Sequence, residues 1–119
     1  MKLVAIKKHC ASFARATADV KWEMAHVYSI GGKMFAIAAA NKTRGTFVCF
    51  KVDDERFLEL TDRPGFLPAP YLARAKWVEL NDLDAITDAE LKSLLKRAYD
   101  VVVAKLTKKQ QREFGLLED

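Results

Sequence analysis

Apolar residues near the start of the chain recur at the spacing of an amphipathic helix. Within residues 2–15, the apolar side chains that share this spacing are Leu3, Ile6, Cys10, Phe13 and Ala14. Residues three or four positions apart lie on the same side of an α-helix, and the lysines of this segment fall elsewhere. The pattern therefore predicts a first helix with one apolar face, and the segment contains no acidic residue.

Three short runs of apolar residues follow and indicate β-strands. Residues 27–30 and 34–40 are joined by Gly31 and Gly32. A glycine pair readily adopts the positive φ angles that a tight hairpin turn requires. After a polar loop, the side chains of residues 46–52 alternate between two faces. We expect these three runs to form an antiparallel meander.

A short second helix is predicted after the meander. Asp53 can cap its N-terminus, because a side-chain oxygen there accepts a hydrogen bond from a free backbone N–H group. The apolar residues of this helix include Phe57 and Leu60, and Pro64 ends it. Prolines at positions 68 and 70 then interrupt regular helix, and residues 75–80 predict a further strand beside the hairpin.

The clearest helix signal lies in the last third of the chain. Thr87 and Glu90 form a capping-box pattern, while Ile86 and Leu91 occupy the positions of a hydrophobic staple. The apolar stripe of this long helix is Leu91, Leu94, Leu95, Ala98 and Val102. These two signals predict both where the helix begins and which face it buries.

The order of the predicted elements indicates the fold class. A helix, a three-stranded meander, a helix, a strand and a long helix together predict an α+β fold, in which helices pack on one face of an antiparallel sheet. Thr107 and Gln110 predict the cap of a short final helix that ends at Gly115. We expect residues 1–119 to form a single domain.

Composition is typical of a small folded protein. Half of the 119 residues are hydrophobic, which suffices for one core. Cys10 and Cys49 stand at predicted core positions, where free cysteine behaves as a small hydrophobe, and this suits a reducing compartment. The sequence contains no apolar stretch of the length that a membrane span needs. We therefore expect a cytoplasmic, monomeric protein without membrane partners.

The positive charge is concentrated in the N-terminal half. Residues 1–50 contain eight lysines and arginines against two acids, whereas residues 51–119 contain twelve against fourteen. A basic face of this kind attracts phosphate or other anions, and it also serves as an ordinary solvated surface. The charge distribution by itself leaves both interpretations open.

Histidines and cysteines are too scattered to indicate a metal site or a nucleophile. His9, Cys10, His26 and Cys49 lack the short spacings of zinc ligands. Adjacent residues on a helix point about 100 degrees apart, so His9 and Cys10 cannot readily bind one ion together. The same few residues give only weak candidates for a nucleophile with its base. We predict no metal, no cofactor and no catalytic residue.

Other catalytic signals have simpler explanations. The sequence contains neither glycine-rich phosphate-binding motif, GxxxxGK[ST] or GxGxxG. Its paired carboxylates, Asp53 with Asp54 and Asp82 with Asp84, lie at predicted helix starts or loops, where capping explains them. A binding protein is therefore a better prediction than an enzyme.

Cations adjoin aromatic residues in two segments. Lys21 precedes Trp22, and residues 71–77 repeat the mixture. Such groups can stack on bases and contact phosphates, although the alternating strand pattern around each tryptophan favours packing in the core. The candidate phosphate contacts are Lys21, Lys33, Lys42, Arg44, Lys51, Arg74 and Lys76. The candidate stacking residues are Trp22, Tyr71 and Trp77.

Several blocks of sequence resemble the MmcQ/YjbR family. They are DVKW at residues 19–22, GKMFA at 32–36, FKVD at 50–53, PAPYLARAKWV at 68–78 and VVAKL at 102–106. The blocks are spread over most of the chain, and the segment at 68–78 is the most specific. The sequence departs from the family pattern at Glu23, where glycine often follows the tryptophan, and at Asp54, where proline often begins the second helix.

The resemblance implies a frataxin-like (CyaY-like) α+β fold and a predicted DNA-binding role, by likeness to a double-wing arrangement. Glu23 would place an acid in the proposed basic face. Iron binding, as in frataxins, would need an acidic first helix, whereas residues 2–15 are basic. We expect a module that contacts DNA phosphates without sequence preference. The alternative is a small domain that binds a protein or small-molecule partner.

Overall fold

Six strands form one antiparallel sheet in the order β1-β2-β3-β4-β6-β5. The computed structural model describes residues 1–22 and 24–117. The strands are β1 Thr17–Lys21, β2 Ala25–Ile30, β3 Lys33–Asn41, β4 Gly45–Lys51, β5 Phe66–Pro68 and β6 Trp77–Leu80. This arrangement confirms the predicted α+β class and the predicted meander, which corresponds to β2, β3 and β4.

Four α-helices in the described part of the chain accompany the sheet. They are α1 Leu3–Ala11, α2 Phe57–Thr61, α3 Asp88–Val103 and α4 Lys108–Glu113. The main core lies between the sheet and the apolar faces of α1 and α3, where Ile6, Leu91 and Leu95 are fully buried against Phe35 and Phe50. Helices on one face of the sheet were predicted from the apolar stripes, and the structure confirms this. Among the described residues, no helix is long and apolar enough to cross a membrane.

The hairpin between β2 and β3 turns at the predicted glycine pair. Gly31 and Gly32 have φ angles of +59° and +80°, the left-handed region that side chains with a Cβ disfavour. Ile30 pairs directly with Lys33, so the turn is as tight as its composition predicts. The register fixed here decides which residues of β2 and β3 face the helices.

Two edge strands were not predicted. Both faces of β1 are exposed, so it has no alternating pattern by which it could be recognised. The other edge, β5, is only three residues long and includes Pro68, a residue that sheets accept at their edges. The predicted strand at residues 75–80 exists as β6, but it lies between β4 and β5 and not beside the β2–β3 hairpin.

The N-termini of two helices differ from the predictions, because the carboxylate predicted to cap each one pairs with an arginine instead. The side chain of Asp53 accepts two hydrogen bonds of 2.8 Å from Arg97 on α3, in place of capping the second helix. Glu90 likewise accepts from Arg63 at 2.7 and 3.0 Å, so it does not close the predicted capping box with Thr87. A bidentate pair with arginine joins two opposite charges through two parallel hydrogen bonds, whereas a cap joins the carboxylate to an uncharged backbone N–H group.

Two further predictions concern the ends of the chain. The first helix stops at Ala11, four residues short of the predicted end, and Arg15 beyond it has a φ angle of +62°. Ala14 is consequently exposed. At the other end, Thr107 and Gln110 form the complete capping box of α4, as predicted.

The opposite face of the sheet, here called the outer face, carries a second and smaller apolar cluster. Its buried members are Ala25, Val27, Ile37, Ala39, Phe47, Cys49, Ala69 and Trp77. Instead of a helix, the segment between β5 and β6 covers part of this face, with Ala69 and the half-buried Leu72 packed on it. The rest of the outer face is left open.

Candidate functional site

An apolar groove of about 1350 Å³ lies on the open part of the outer face. Its lining includes Trp22 and Met24 in the β1–β2 turn, and Pro70 to Leu72 in the segment between β5 and β6. Residues 40–45 of the β3–β4 connection close one end. We call this feature the outer groove. It is the larger of the two concave features described here.

Strand register explains the floor of the outer groove. Ile37 pairs with Cys49, and Cys49 pairs with Glu79, so these three lining side chains form one row across β3, β4 and β6. Directly opposed residues of antiparallel strands share a face. The neighbouring positions include Ala25 and Ala39, whose small side chains leave room above the sheet. The concavity thus follows from alanines set at outward-facing positions.

The rim of the outer groove exposes large apolar side chains. Trp22 is 66% exposed, Met24 64% and Tyr71 fully exposed. Trp22 and Tyr71 also have φ angles of +46° and +66°. Bulky residues seldom adopt this left-handed conformation, and such strain is concentrated at functional sites in proteins. Two exposed aromatic rings are therefore held by unusual backbone conformations on the rim of one groove.

The one buried carboxylate in the described lining of the outer groove belongs to Glu79, which is 2% exposed. It accepts a hydrogen bond from the guanidinium of Arg44, which also stacks over the ring of Phe47 at 4.2 Å. The thiol of Cys49 lies 3.7 Å from the same carboxylate. Burial raises the pKa of Cys49 to about 12, and the charge of Glu79 adds to the effect. The thiol consequently stays protonated and is a poor nucleophile.

A second, smaller cleft is strongly basic. It has a volume of about 350 Å³, and its cationic lining consists of Lys33, Lys51, Arg74, Lys76 and Lys105. We call it the basic cleft. Met34 lines both the basic cleft and the outer groove, so the two features adjoin. Asp54 is the only carboxylate in the described lining of the cleft.

The candidate phosphate contacts predicted from the sequence fall into two groups. Lys33, Lys51, Arg74 and Lys76 meet in the basic cleft, whereas Lys42 and Arg44 line the end of the outer groove. Lys21 pairs with Ala25, which places it on the outer face near Trp22. Lys51 is 6% exposed, so it lies within the cleft wall and not on an open surface.

The three predicted stacking residues have different environments. Trp22 and Tyr71 stand exposed on the rim, so core packing was the wrong expectation for Trp22. Trp77 is 5% exposed and belongs to the outer-face cluster, as core packing predicted, and its ring is not free to stack on a ligand. Glu23, the acid that would weaken the basic face, lies outside the described residues.

Sequence reasoning missed two residues of these features. Lys105 follows α3 and reaches the basic cleft, and the VVAKL block of the family resemblance contained it without marking a role. Glu79 interrupts the apolar strand WVEL, and a lone acid in such a strand was the available signal. Within residues 1–22 and 24–117, no three His, Cys, Asp or Glu side chains converge in a way that could hold a metal ion.

Comparison with known proteins agrees with this architecture. The structure resembles that of Deinococcus radiodurans protein DR2400, which has a DUF419 domain, with a TM-score of 0.85 and 22% identity over 98% of this chain and 89% of that one. It also resembles a protein from Pseudomonas syringae, with a TM-score of 0.71 and 18% identity over 85% and 98% of the two chains. These likenesses show a shared fold.

A search of curated proteins found no match. The family model described as YjbR matches residues 11–101, which is well over half of the chain and includes the outer groove and most of the basic cleft. The MmcQ/YjbR resemblance predicted from the sequence blocks is therefore confirmed, and the chain belongs to the YjbR family.

Proposed function

We propose that this protein is a non-enzymatic DNA-binding module that accommodates unpaired bases in the outer groove and phosphates on the cations beside it. The observation that carries the proposal is the exposure of Trp22 and Tyr71 on the rim of one apolar groove that adjoins the basic cleft. Aromatic platforms next to cationic tracks are the usual means of binding single strands.

The apolar lining favours bases over the backbone of a duplex. A duplex presents phosphates outward, and phosphates gain nothing from a floor of Ala39, Ile37 and Phe47. Unpaired bases have flat apolar faces, and stacking on an aromatic side chain contributes about 1–3 kcal/mol per base. Trp22 and Tyr71, which both line the groove and are exposed, supply such rings.

The surrounding cations supply affinity that does not depend on base sequence. Lys42 is exposed in the groove lining, and Lys21 is exposed on the same face of the sheet beside it. Each phosphate that they neutralise releases counterions from the DNA. Arg44 is shared with Glu79, so its charge is already partly balanced. Of the polar side chains in the described lining, Asn41 already accepts hydrogen bonds from backbone N–H groups of its own loop, and Arg44 and Glu79 already bind each other. Weak sequence preference follows from this composition.

Fluorescence anisotropy with labelled single-stranded and duplex DNA, at low and near-physiological salt, tests the proposal. We expect the single strand to bind more tightly, with log affinity falling linearly against log salt concentration. The double variant Trp22→Ala with Tyr71→Ala should weaken binding by about tenfold or more. Leu58→Ala, a 79% exposed position on α2, is the matched control.

Charge variants complete this test. Lys21→Ala with Lys42→Ala should weaken the binding of all sequences alike and reduce the salt slope. Lys108→Ala with Lys109→Ala removes the same charge from exposed positions on α4 and should have a smaller effect. Equal affinity for the wild type and the aromatic double variant would contradict the proposal.

A second candidate, a domain that binds a protein or small-molecule partner, has one specific observation in its favour. The exposed side chains of Trp22, Met24 and Tyr71 border an apolar groove of a kind that also holds peptides and small ligands. Absence of DNA binding even at low salt, together with binding of an apolar aromatic dye that Trp22→Ala abolishes, would favour this candidate.

A further inference from the structure

We propose that the basic cleft is a phosphate-binding pocket, built for a phosphate dianion such as a terminal phosphate monoester in preference to a phosphodiester. The pocket itself stands independently of the DNA-binding proposal. Only its extension to the end of a nucleic-acid strand rests on that function.

The charge balance of the basic cleft is the first reason. Five cationic side chains line it against the single carboxylate of Asp54. The nearest contact of Asp54 with Lys51 is 3.8 Å, and its side chain is 76% exposed. A carboxylate so exposed and so distant neutralises little of the charge. The described lining therefore retains a large positive excess.

The position of Lys51 is the second reason. Its side chain is 8% exposed, although lysine is almost never buried without a partner. The ammonium donates a hydrogen bond to the backbone oxygen of Ala75, which fixes its position. A lysine ammonium has three N–H donors, so others remain for a ligand in the cleft.

The third reason is that holding several cations close together costs free energy unless an anion is bound among them. Burial lowers the pKa of Lys51, and the positive charge of Lys105 lowers it further, with a smaller effect from Lys76. The charge of Asp54 acts in the opposite direction. Cations brought together in this way repel each other. A bound anion attracts each of them and so offsets the repulsion.

The cleft is also held in shape before any ligand arrives. Lys76 has a φ angle of +62°, its backbone oxygen accepts from Val52 at 3.0 Å, and its ammonium lies 5.0 Å from the ring of Phe57. Strained conformations of this kind persist when the surroundings determine them. A preorganised site loses less free energy on ordering its side chains when it binds.

The size and position of the cleft indicate the class of anion. A volume of about 350 Å³ has room for a phosphate with part of the group that carries it. A dianion interacts with the cluster about twice as strongly as a singly charged phosphodiester. Because Met34 lines both features, a strand whose bases lie in the outer groove could end with its phosphate in the cleft.

Isothermal titration calorimetry with inorganic phosphate and with pyrophosphate tests the pocket. We expect the wild type to bind both anions, and Lys33→Ala with Lys105→Ala to weaken binding by about tenfold or more, since charged hydrogen bonds are lost. Both lysines are exposed, so this variant should fold, whereas Lys51 is buried and its replacement risks unfolding. Lys108→Ala with Lys109→Ala is the control of equal charge.

Failure of the wild type to bind either anion would overturn the proposal of a phosphate-binding pocket. An equal loss of anion affinity in the control variant would overturn it as well. Oligonucleotides with and without a 5′-phosphate then distinguish the sources of the phosphate. Tighter binding of the phosphorylated strand, lost in Lys33→Ala with Lys105→Ala, supports a strand end as the ligand. Phosphate binding without any oligonucleotide binding supports a small phosphate compound, and in that case the DNA-binding proposal alone has failed.

Discussion

The guanidinium of Arg44, in the β3–β4 loop, is hydrogen-bonded to the carboxylate of Glu79 on β6, although 35 positions separate the two residues along the chain. Glu79 is nearly inaccessible, whereas the side chain of Arg44 is 41% exposed. The contact ties the loop that closes the outer groove to the floor beneath it. It also places a positive charge beside the buried carboxylate of Glu79, which offsets the free-energy cost of burying that charge on the outer face.

Removing Arg44 should therefore destabilise the protein through Glu79. Among the described residues, Arg44→Ala leaves the buried carboxylate with only the weak thiol donor of Cys49, and we expect a loss of about 1–3 kcal/mol in the free energy of unfolding. Urea denaturation measures the loss. The double variant Arg44→Leu with Glu79→Leu should cost less than the sum of the two single replacements. Additive costs would show that the pair is not coupled.

Acid stability should depend on Glu90. Its hydrogen bonds with Arg63 hold the pKa of the carboxyl below its ordinary value of 4.5. A lowered pKa in the folded state contributes stability above the unfolded value, and this contribution is lost as the pH falls through the folded value. Both side chains are partly exposed, so solvent screening limits the effect to about 0.3–1 kcal/mol.

Glu90→Gln should accordingly be less stable than the wild type at neutral pH and should lose less stability below about pH 5. Thermal unfolding followed across that range measures both effects. Glu113→Gln, at an exposed position at the end of α4, is the control. A parallel pH profile for Glu90→Gln and the wild type would contradict the assignment.

Two glycines with similar backbone angles should respond differently to alanine. Gly65 and Gly32 have φ angles of +88° and +80°, which cost an alanine about 1–2 kcal/mol. A Cβ at Gly65 would also lie 2.7 Å from that of Ala85, whereas a Cβ at Gly32 would meet nothing within 4 Å. We expect Gly65→Ala to cost at least about 1 kcal/mol more than Gly32→Ala in urea unfolding. Equal costs would mean that the loop around Ala85 moves to make room for the added methyl group.

The two tryptophans provide internal probes of the outer face. Trp77→Phe leaves Trp22, 66% exposed, as the remaining tryptophan, and its emission should be red-shifted and readily quenched by acrylamide. Trp22→Phe leaves the buried Trp77, whose emission should be blue-shifted and protected. Single-stranded DNA should change the Trp22 signal far more than the Trp77 signal. The reverse result would place the ligand away from the rim.

Stability should follow the same division between the tryptophans. Trp77→Ala removes a buried ring from the outer-face cluster and should cost about 3–5 kcal/mol, as other buried aromatic residues do. Trp22→Ala should change the free energy of unfolding by no more than about 0.5 kcal/mol, because the side chain packs little. Denaturant unfolding of the two variants checks this. A large cost at Trp22 would indicate a structural role for the rim.

Local signals predicted much of this fold. The glycine pair at 31 and 32 specified the hairpin, and the capping residue Thr87 with the apolar stripe after it specified α3. These elements depend on residues that are close together in the chain, so their patterns can be recognised without any knowledge of tertiary contacts. The edge strands β1 and β5 lacked such patterns, because one is exposed on both faces and the other is three residues long.

The features of the candidate site likewise divide into those that sequence patterns predicted and those that depend on tertiary contacts. Sequence patterns were sufficient to predict the family, the α+β class and the residue types available for binding, including the cations and aromatics near positions 21 and 71–77. Tertiary packing, in contrast, leaves Trp22 exposed in the β1–β2 turn and buries Trp77 on β6, because Trp77 packs in the outer-face cluster and Trp22 lies outside it. It also brought Lys105 to Lys51, which no local spacing encodes. Contacts between distant segments depend on packing, and packing is a property of the whole chain.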